Sequence, residues 1–379
     1  MSLFNVYPLF DITPVKGKDV FIYDKNDTKY LDLYGGHAVI SIGHGHPVYT
    51  KAISDQVNSL GFYSNAIQNP LQVKLAKQIT SIADCQDYQL FLCNSGAEAN
   101  ENALKLASFH TGKKKVIAFK NSFHGRTSAA VAVTDNSKIV APINEQQQVI
   151  FLEFEDLTGV KRALEANDVC AVIIETIQGV GGLDEPSTNF YRGLENLCKK
   201  HNTLLIADEI QSGFGRTGDF FAYQKHGITP DIISMAKGMG NGFPIGGILI
   251  QSKIKASFGL LGTTFGGNHL ACAASLAVLK VLEEENLMDN VKEISDYFIE
   301  KIKEIPQIAS VKGRGLMLGI EFSFPVASLR KSLLLNQYIF TGSSKNPNLL
   351  RLLPSLTLKK EHIDIFINAL QIELEMVAR

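Results

Sequence analysis

The sequence predicts a three-layer α/β fold, with a large domain built on a mostly parallel sheet and a smaller α+β domain towards the C-terminus. Three observations carry this. Short apolar runs rich in β-branched residues recur through the middle of the chain and are continuous rather than alternating, as befits strands covered on both faces. Helical patterns stand between several of them, the order that builds a parallel sheet. Beyond position 255 the order changes to a long apolar-striped helix, a second helix, a strand pair and a final helix.

Residues 1–45 form an N-terminal segment in which 20–23 and 30–33 flank the turn Lys25-Asn26-Asp27, a hairpin by spacing. This segment is expected to pack with the small domain. The large domain covers 46–255, with strands at 90–93, 115–119, 149–152, 170–175, 204–207, 232–235 and 247–250. Between them lie helices such as 98–110, closed by Gly112, and 191–201. From 268 to 285, Leu270, Ala273, Ala274, Ala277, Val278 and Val281 repeat at helical spacing, over a length that can link two domains. The remainder of 256–379 gives a helix at 291–304, a strand pair within 310–322 and 349–354, and a last helix from Lys360.

Composition narrows the function. With 379 residues, 45% hydrophobic and 20% charged, the chain has the make-up of a globular protein and excludes disorder and collagen. Lys plus Arg is 37 against 38 Asp plus Glu, with no long run of one sign, so nucleic acid has no support as a partner. Five scattered cysteines without a C-x-x-C pair suit a reducing cytoplasm. The first basic residue is Lys16 and the longest apolar runs, such as 169–174, are too short to span a bilayer, so a cytoplasmic protein with no leader and no membrane partner is expected.

Three features fall at strand ends, where open parallel sheets hold their ligands. Asn94-Ser95-Gly96-Ala97-Glu98 is a small-residue turn between a strand and a helix. Ser95 can cap, Gly96 lets a ligand approach, and the free N–H groups with the helix dipole suit a phosphate. On its own the segment reads first as a plain capped helix. In Asp208-Glu209-Ile210-Gln211 an apolar strand ends in two acids and an amide, and alternation sends Asp208 and Glu209 to opposite faces. Lys237 follows a strand directly and precedes a glycine-rich run, a position where desolvation lowers an amine's pKa and makes it a nucleophile. An anion cradle, an acid for a pyridinium nitrogen and a lysine for an aldehyde are the parts that pyridoxal phosphate requires.

These residues resemble the class III aminotransferases of the fold-type I pyridoxal-phosphate enzymes, in particular the acetylornithine and succinylornithine subgroup. The likeness runs from about Lys16 to the C-terminus and is carried by Ser95-Gly96-Ala97-Glu98-Ala99-Asn100-Glu101, Phe123-His124-Gly125-Arg126-Thr127, Asp208-Glu209-Ile210-Gln211 with Gly215-Arg216-Thr217-Gly218, Ala236-Lys237-Gly238 and Thr263-Thr264-Phe265-Gly266-Gly267-Asn268. The resemblance implies pyridoxal 5'-phosphate bonded to Lys237, with Asp208 on the pyridine nitrogen as the second catalytic residue. It further implies a cofactor shell of Ser95, Gly96, Ala97, Phe123, His124, Glu209, Ile210 and Gln211, completed by Thr264 from the neighbouring subunit of a homodimer. Arg126, Thr263 and Arg351 would contact substrate, the two arginines by gripping carboxylates. The implied reaction moves the terminal amino group of N2-acetylornithine or N2-succinylornithine to 2-oxoglutarate in arginine biosynthesis. Ornithine, succinyldiaminopimelate or 4-aminobutyrate as donor are the alternatives, followed by a non-catalytic cofactor-binding protein.

One departure stands out. In the loop Gln178-Gly179-x-Gly181-Gly182 ornithine-type members usually carry Glu, where this chain has Val180. Valine cannot pair with the glutamate-binding arginine, and the loss of an acid leaves the pocket more positive, which favours an acyl group with its own carboxylate. Other motifs point elsewhere. Gly213-Phe214-Gly215-Arg216-Thr217-Gly218 matches a dinucleotide fingerprint but is not followed by an opening helix, and His44 and His46 in a turn have no third ligand for a metal. His124 and Glu175 are read as positioning groups or satisfied buried polar residues, Cys93 as core, Gly313-Arg314-Gly315 as a bulge or bend, and 35–39 as a segment that can line the pocket.

Overall fold

The computed structural model describes residues 3–145 and 148–377. Fourteen strands form three sheets: β1 (Pro14–Lys18), β2 (Phe21–Asp24), β3 (Lys29–Asp32), β4 (Tyr88–Cys93), β5 (Lys115–Phe119), β6 (Val149–Leu152), β7 (Val169–Glu175), β8 (Leu204–Asp208), β9 (Ile232–Met235), β10 (Gly246–Gln251), β11 (Ile308–Arg314), β12 (Met317–Phe322), β13 (Ile339–Phe340) and β14 (Leu349–Leu352). The central sheet has seven strands in the order β4-β10-β9-β8-β7-β5-β6. The continuous apolar runs become its interior: every residue of β7, β8 and β9 is buried.

The sheet is parallel except for β10, which runs antiparallel to both its neighbours. The apolar run at 247–250 by itself suggests another parallel strand, and the reason for the difference is the connection. Only 236–245 separate β9 from β10, with no crossover helix, so the chain returns alongside itself. Because β10 turns back there, its first residue, Gly246, lies at the same edge as the last residues of β4 and β9. That edge collects the loops after β4, β5, β7, β8 and β9.

Helix Gly96–Thr111 opens on Ser95, whose Oγ accepts from Glu98 N at 3.2 Å, and closes on Gly112 in the left-handed region at φ 68°. Helix His269–Glu284 buries ten residues, among them the alanine stripe, and leads into helix Leu287–Lys303. The hairpin β2-β3 joins the four-stranded sheet β1-β2-β3-β13, in which β3 and β13 are parallel. The third sheet is β11-β12-β14; Gly313 pairs in register with Leu318 inside β11, and Gly315, at φ 61°, lies in the hairpin turn to β12, so the segment is a bend at a turn and not a bulge. The C-terminal helix, Lys360–Val377, covers this end of the molecule, with Phe366 packed edge-on against Phe298.

Candidate functional site

At the shared strand edge lies a cavity of about 440 Å³ lined by Ser95, Gly96, Ala97, Phe123, His124, Arg126, Asp208, Ile210, Gln211 and Lys237. Ten of the fourteen site residues read from the sequence therefore meet in one place, although they come from four separate loops. Glu175, Val39 and Val180 complete the walls.

Asp208 ends β8 at 4% exposure and is held from two sides. Its Oδ2 accepts from Asn100 Nδ2 and His124 Nδ1, both at 2.7 Å, and its Oδ1 accepts from Ile210 N at 3.1 Å. Ser234 Oγ in turn donates to Asn100 Oδ1 at 2.6 Å. Four groups from the helix, β9 and two loops thus lock one carboxylate; Asn100 and Ser234 went unread as site residues, though a polar residue inside the apolar stripe Ala99, Ala103, Leu104 is the signal that could have found Asn100. His124 is buried and its Nε2 has no partner among the described residues, so the ring is held through Nδ1, to Asp208.

Lys237 lies beyond β9 in a left-handed conformation, φ 47°. Burial pushes its amine down to about 8; Asp208 and Glu175 pull it back up, and Arg351 and Arg216 push it further down. Glu175 pairs with Asp208 in register and accepts from Phe123 N and Gly179 N, both at 2.8 Å. Burial pushes its carboxyl up, with the Asp208 charge adding to the effect and His124 opposing it. Gly96 leaves room at the helix start: a Cβ there would sit 2.8 Å from Ile210 Cγ2.

Four expected residues lie outside the cavity lining. Glu209 points to the opposite face, fully buried, and accepts four hydrogen bonds from Thr176, Ser212, Ala222 and Tyr223. Strand alternation, already visible in the sequence, accounts for this, and the structure does not bring Glu209 to the cofactor side. Thr263 Oγ1 accepts from Gly266 N at 3.0 Å, and Thr264 is exposed in the loop that carries the exposed Phe265. Arg351, on β14, is 3% exposed; its Nη1 donates to Gly179 O and Gln211 Oε1, and its Nη2 to Tyr34 Oη. Among the described residues it has no carboxylate partner, and its Nε is buried without an acceptor.

The rival motifs are absorbed elsewhere. Arg216 is fully buried and donates to the carbonyls of Leu316, Pro354 and Ile40, with burial pushing its guanidinium down to about 9. His44 Nε2 meets Asp32 Oδ2 and His46 Nε2 meets Glu285 Oε1, each at 2.9 Å.

The sequence profile of the family described as "Aminotransferase class-III" matches residues 5–374. The acetylornithine aminotransferase of Bacillus subtilis is 40% identical over 368 residues, covering 96% of this chain and 94% of that one. The acetylornithine aminotransferase of Methanocaldococcus jannaschii is 38% identical, covering 97% and 94%. Among solved structures, an ornithine aminotransferase from Toxoplasma gondii, described with PLP at its active site, superimposes with a TM-score of 0.91 at 27% identity, covering 100% of this chain and 93% of that one. The chain belongs to the class III aminotransferases, pyridoxal-phosphate-dependent transaminases of fold type I.

Proposed function

We propose that the protein transfers the terminal (δ) amino group of an N2-acylated ornithine, acetyl or succinyl, to 2-oxoglutarate, giving the N-acyl glutamate semialdehyde and glutamate, as a step of arginine biosynthesis. The observation that carries this is the pairing of a depressed-pKa lysine with a fixed carboxylate in a cavity flanked by Arg126 and the carboxylate-free Arg351. The names of the relatives support the donor class. Transfer from another ω-amino acid is the second reading, supported by the ornithine aminotransferase among the structural neighbours.

The residues fit the cofactor. The turn at Gly96 is a cradle that a Cβ would fill, with helix N–H groups at its floor, and a buried lysine with a depressed pKa stands opposite a carboxylate. Bound pyridoxal phosphate supplies an aldehyde for amines and an electron-withdrawing ring. Gly96 and Ala97 N–H groups would hold its phosphate, Phe123 its ring face, Gln211 its phenolic oxygen and Asp208 the proton on its ring nitrogen. His124 and Asn100, each donating to Oδ2, hold the Asp208 carboxylate in place for that task. Lys237 Nζ would bond the cofactor's aldehyde and, as a free amine, would take up and return a proton at the substrate carbon. Arg126 would hold the donor's distant carboxylate, and Arg126 with Arg351 the two carboxylates of 2-oxoglutarate.

Thr264 would reach a neighbouring subunit's phosphate, and the exposed Phe258, Thr264 and Phe265 on one loop support a homodimer. A cytoplasmic location is supported by five buried, unpaired cysteines. Among the described residues no helix is long and apolar enough to cross a membrane.

The test is an absorbance spectrum from about 300 to 500 nm, before and after N2-acetylornithine and then N2-succinylornithine. A visible band that one donor bleaches establishes cofactor, reaction and donor together. No band with added pyridoxal phosphate refutes the role of Lys237, and a band that only ornithine or 4-aminobutyrate bleaches favours the second reading.

A further inference from the structure

Residues 35–38 form one turn of left-handed helix: Gly35, Gly36, His37 and Ala38 have φ of 55°, 55°, 70° and 63°. Glycine takes this conformation freely, but histidine and alanine do not, and backbone held against preference persists only where its surroundings enforce it. Asp32 does the enforcing here. Its Oδ1 accepts from Tyr34 N at 3.0 Å and Gly35 N at 2.8 Å.

The turn sets two side chains beside Arg351. Arg351 Nη2 donates to Tyr34 Oη at 3.1 Å, and Tyr34 Oη lies 2.6 Å from His37 Nδ1. Directions follow from chemistry. A guanidinium can only donate, so the tyrosine oxygen accepts from it, and with Nδ1 of His37 unprotonated the tyrosine O–H donates there. His37 is exposed on its outer side, yet partial desolvation and the charges of Arg351, Lys237 and Arg330 all push its pKa down, which favours that neutral form with the proton on Nε2. The Tyr34 ring also lies against Gly342, where any side chain would collide with it, and Gly342 is bonded through its backbone to Arg351.

A donor count shows what is left over. Nη1 uses its two N–H groups on Gly179 O and Gln211 Oε1, and Nη2 uses one on Tyr34. Nε–H has no acceptor. Nε–H and an Nη2 N–H make one edge of the planar group, the pair of parallel donors that suits a carboxylate. Every partner that holds the arginine is uncharged.

We propose that Tyr34 and His37 form a neutral clasp that fixes the guanidinium plane of Arg351 and leaves its Nε edge free for an incoming carboxylate, so that a dicarboxylate 2-oxo acid binds without an ion pair having to break. This rests on Arg351 as a substrate carboxylate holder, the reading proposed above. Tyr34 and His37 act through Arg351 and are positioning residues.

The test uses the holoenzyme and glutarate, an unreactive dicarboxylate, with affinity read by calorimetry alongside KM for both substrates. Tyr34→Phe keeps the ring and removes the hydroxyl, and His37→Gly removes the acceptor while suiting the left-handed backbone. Each is expected to weaken glutarate about tenfold and to raise KM for 2-oxoglutarate alike, the size of one hydrogen bond to a charged group. KM for N2-acetylornithine stays within about twofold. His37→Asn, which keeps an acceptor near Nδ1 and tolerates positive φ, restores binding. Equal weakening of both substrates, or no rescue by asparagine, overturns the clasp. If Arg351→Lys abolishes glutarate binding while Tyr34→Phe leaves it unchanged, the clasp fails and the role of Arg351 stands. If Arg351→Lys leaves glutarate binding intact, the role of Arg351 itself fails.

Discussion

Replacing Glu209 with Gln separates two tasks that its neighbour Asp208 and its own position in the sequence could suggest, cofactor binding and pinning the fold. Its Oε1 accepts from Thr176 Oγ1 at 2.6 Å and Tyr223 N at 2.9 Å, and its Oε2 from Ser212 Oγ at 2.7 Å and Ala222 N at 2.9 Å. Burial pushes the carboxyl up, and these four donors favour the ionised form against it. A glutamine must turn its NH2 towards one of the two oxygen positions. A hydroxyl there can rotate and accept, but the backbone N–H of Ala222 or Tyr223 cannot. One buried donor is left facing another, which costs about 1–3 kcal/mol, and Glu209→Ala, which orphans both N–H groups, costs about 2–6 kcal/mol. Urea unfolding of the holoenzyme at fixed protein and cofactor concentration reads the loss. The visible band per mole of folded protein is expected to stay as in the parent. An unchanged urea midpoint in the glutamine variant would refute the pin, and an altered band at unchanged stability would place Glu209 at the cofactor instead.

The remaining predictions concern the cavity. Lys237 reacts as the neutral amine, so capture of pyridoxal phosphate by apoprotein is expected to rise with pH through about 8 and then level; a rise centred near an ordinary lysine, about 10.4, would refute the depressed pKa. Gly96→Ala places a Cβ 2.8 Å from Ile210 Cγ2 at the phosphate cradle, so the cofactor should dissociate at least about tenfold more readily on dialysis, with fold stability little changed. Val180→Glu adds an acid to the cavity wall, and competition kinetics should show N2-succinylornithine losing ground to N2-acetylornithine; a strong acetyl preference in the parent that the substitution leaves unchanged would sink the argument from charge.

The large sheet was legible because its central strands are buried on both faces, and a fully buried strand reads as a short apolar run bounded by turns. The runs at 115–119 and 232–235 coincide with β5 and β9 for that reason, while 149–152 coincides with β6, a half-buried edge strand. Direction was not legible in β10, since antiparallel and parallel strands with two covered faces use the same residues, and only the loop length distinguishes them. Lys237 and Asp208 stood out because a charge at the end of an apolar run has few uses. Arg351 was legible through resemblance alone: Leu350-Arg351-Leu352 reads as strand with one charge. Tyr34 and His37 were invisible as partners of Arg351, because they lie 317 and 314 positions away in sequence and meet it through a left-handed turn that no periodicity describes.

Backbone strain and missing counter-charge fall in the same place. His37, Ala38, Lys237 and Asn241 all hold positive φ around the cavity, and left-handed geometry costs an ordinary residue about 1–2 kcal/mol. Asn241 ties the two strained segments together: its Oδ1 accepts from Ser41 N at 2.8 Å and Ile42 N at 3.0 Å, while Ser41 Oγ donates to Gly238 O at 2.8 Å. The turn that carries Tyr34 and His37 is therefore bolted to the turn that carries Lys237. Arg216 reinforces the same joint by reaching Ile40 O from one side and the carbonyls of Leu316 and Pro354 from the other. Two cations, Arg216 and Arg351, are buried at this joint with uncharged partners, a costly arrangement unless an anion arrives. Arg216 gives three of its five N–H groups to carbonyls. Arg351 keeps its Nε–H without an acceptor, and under the proposed function the bolted turns would hold that donor and Lys237 in a fixed relation to one substrate.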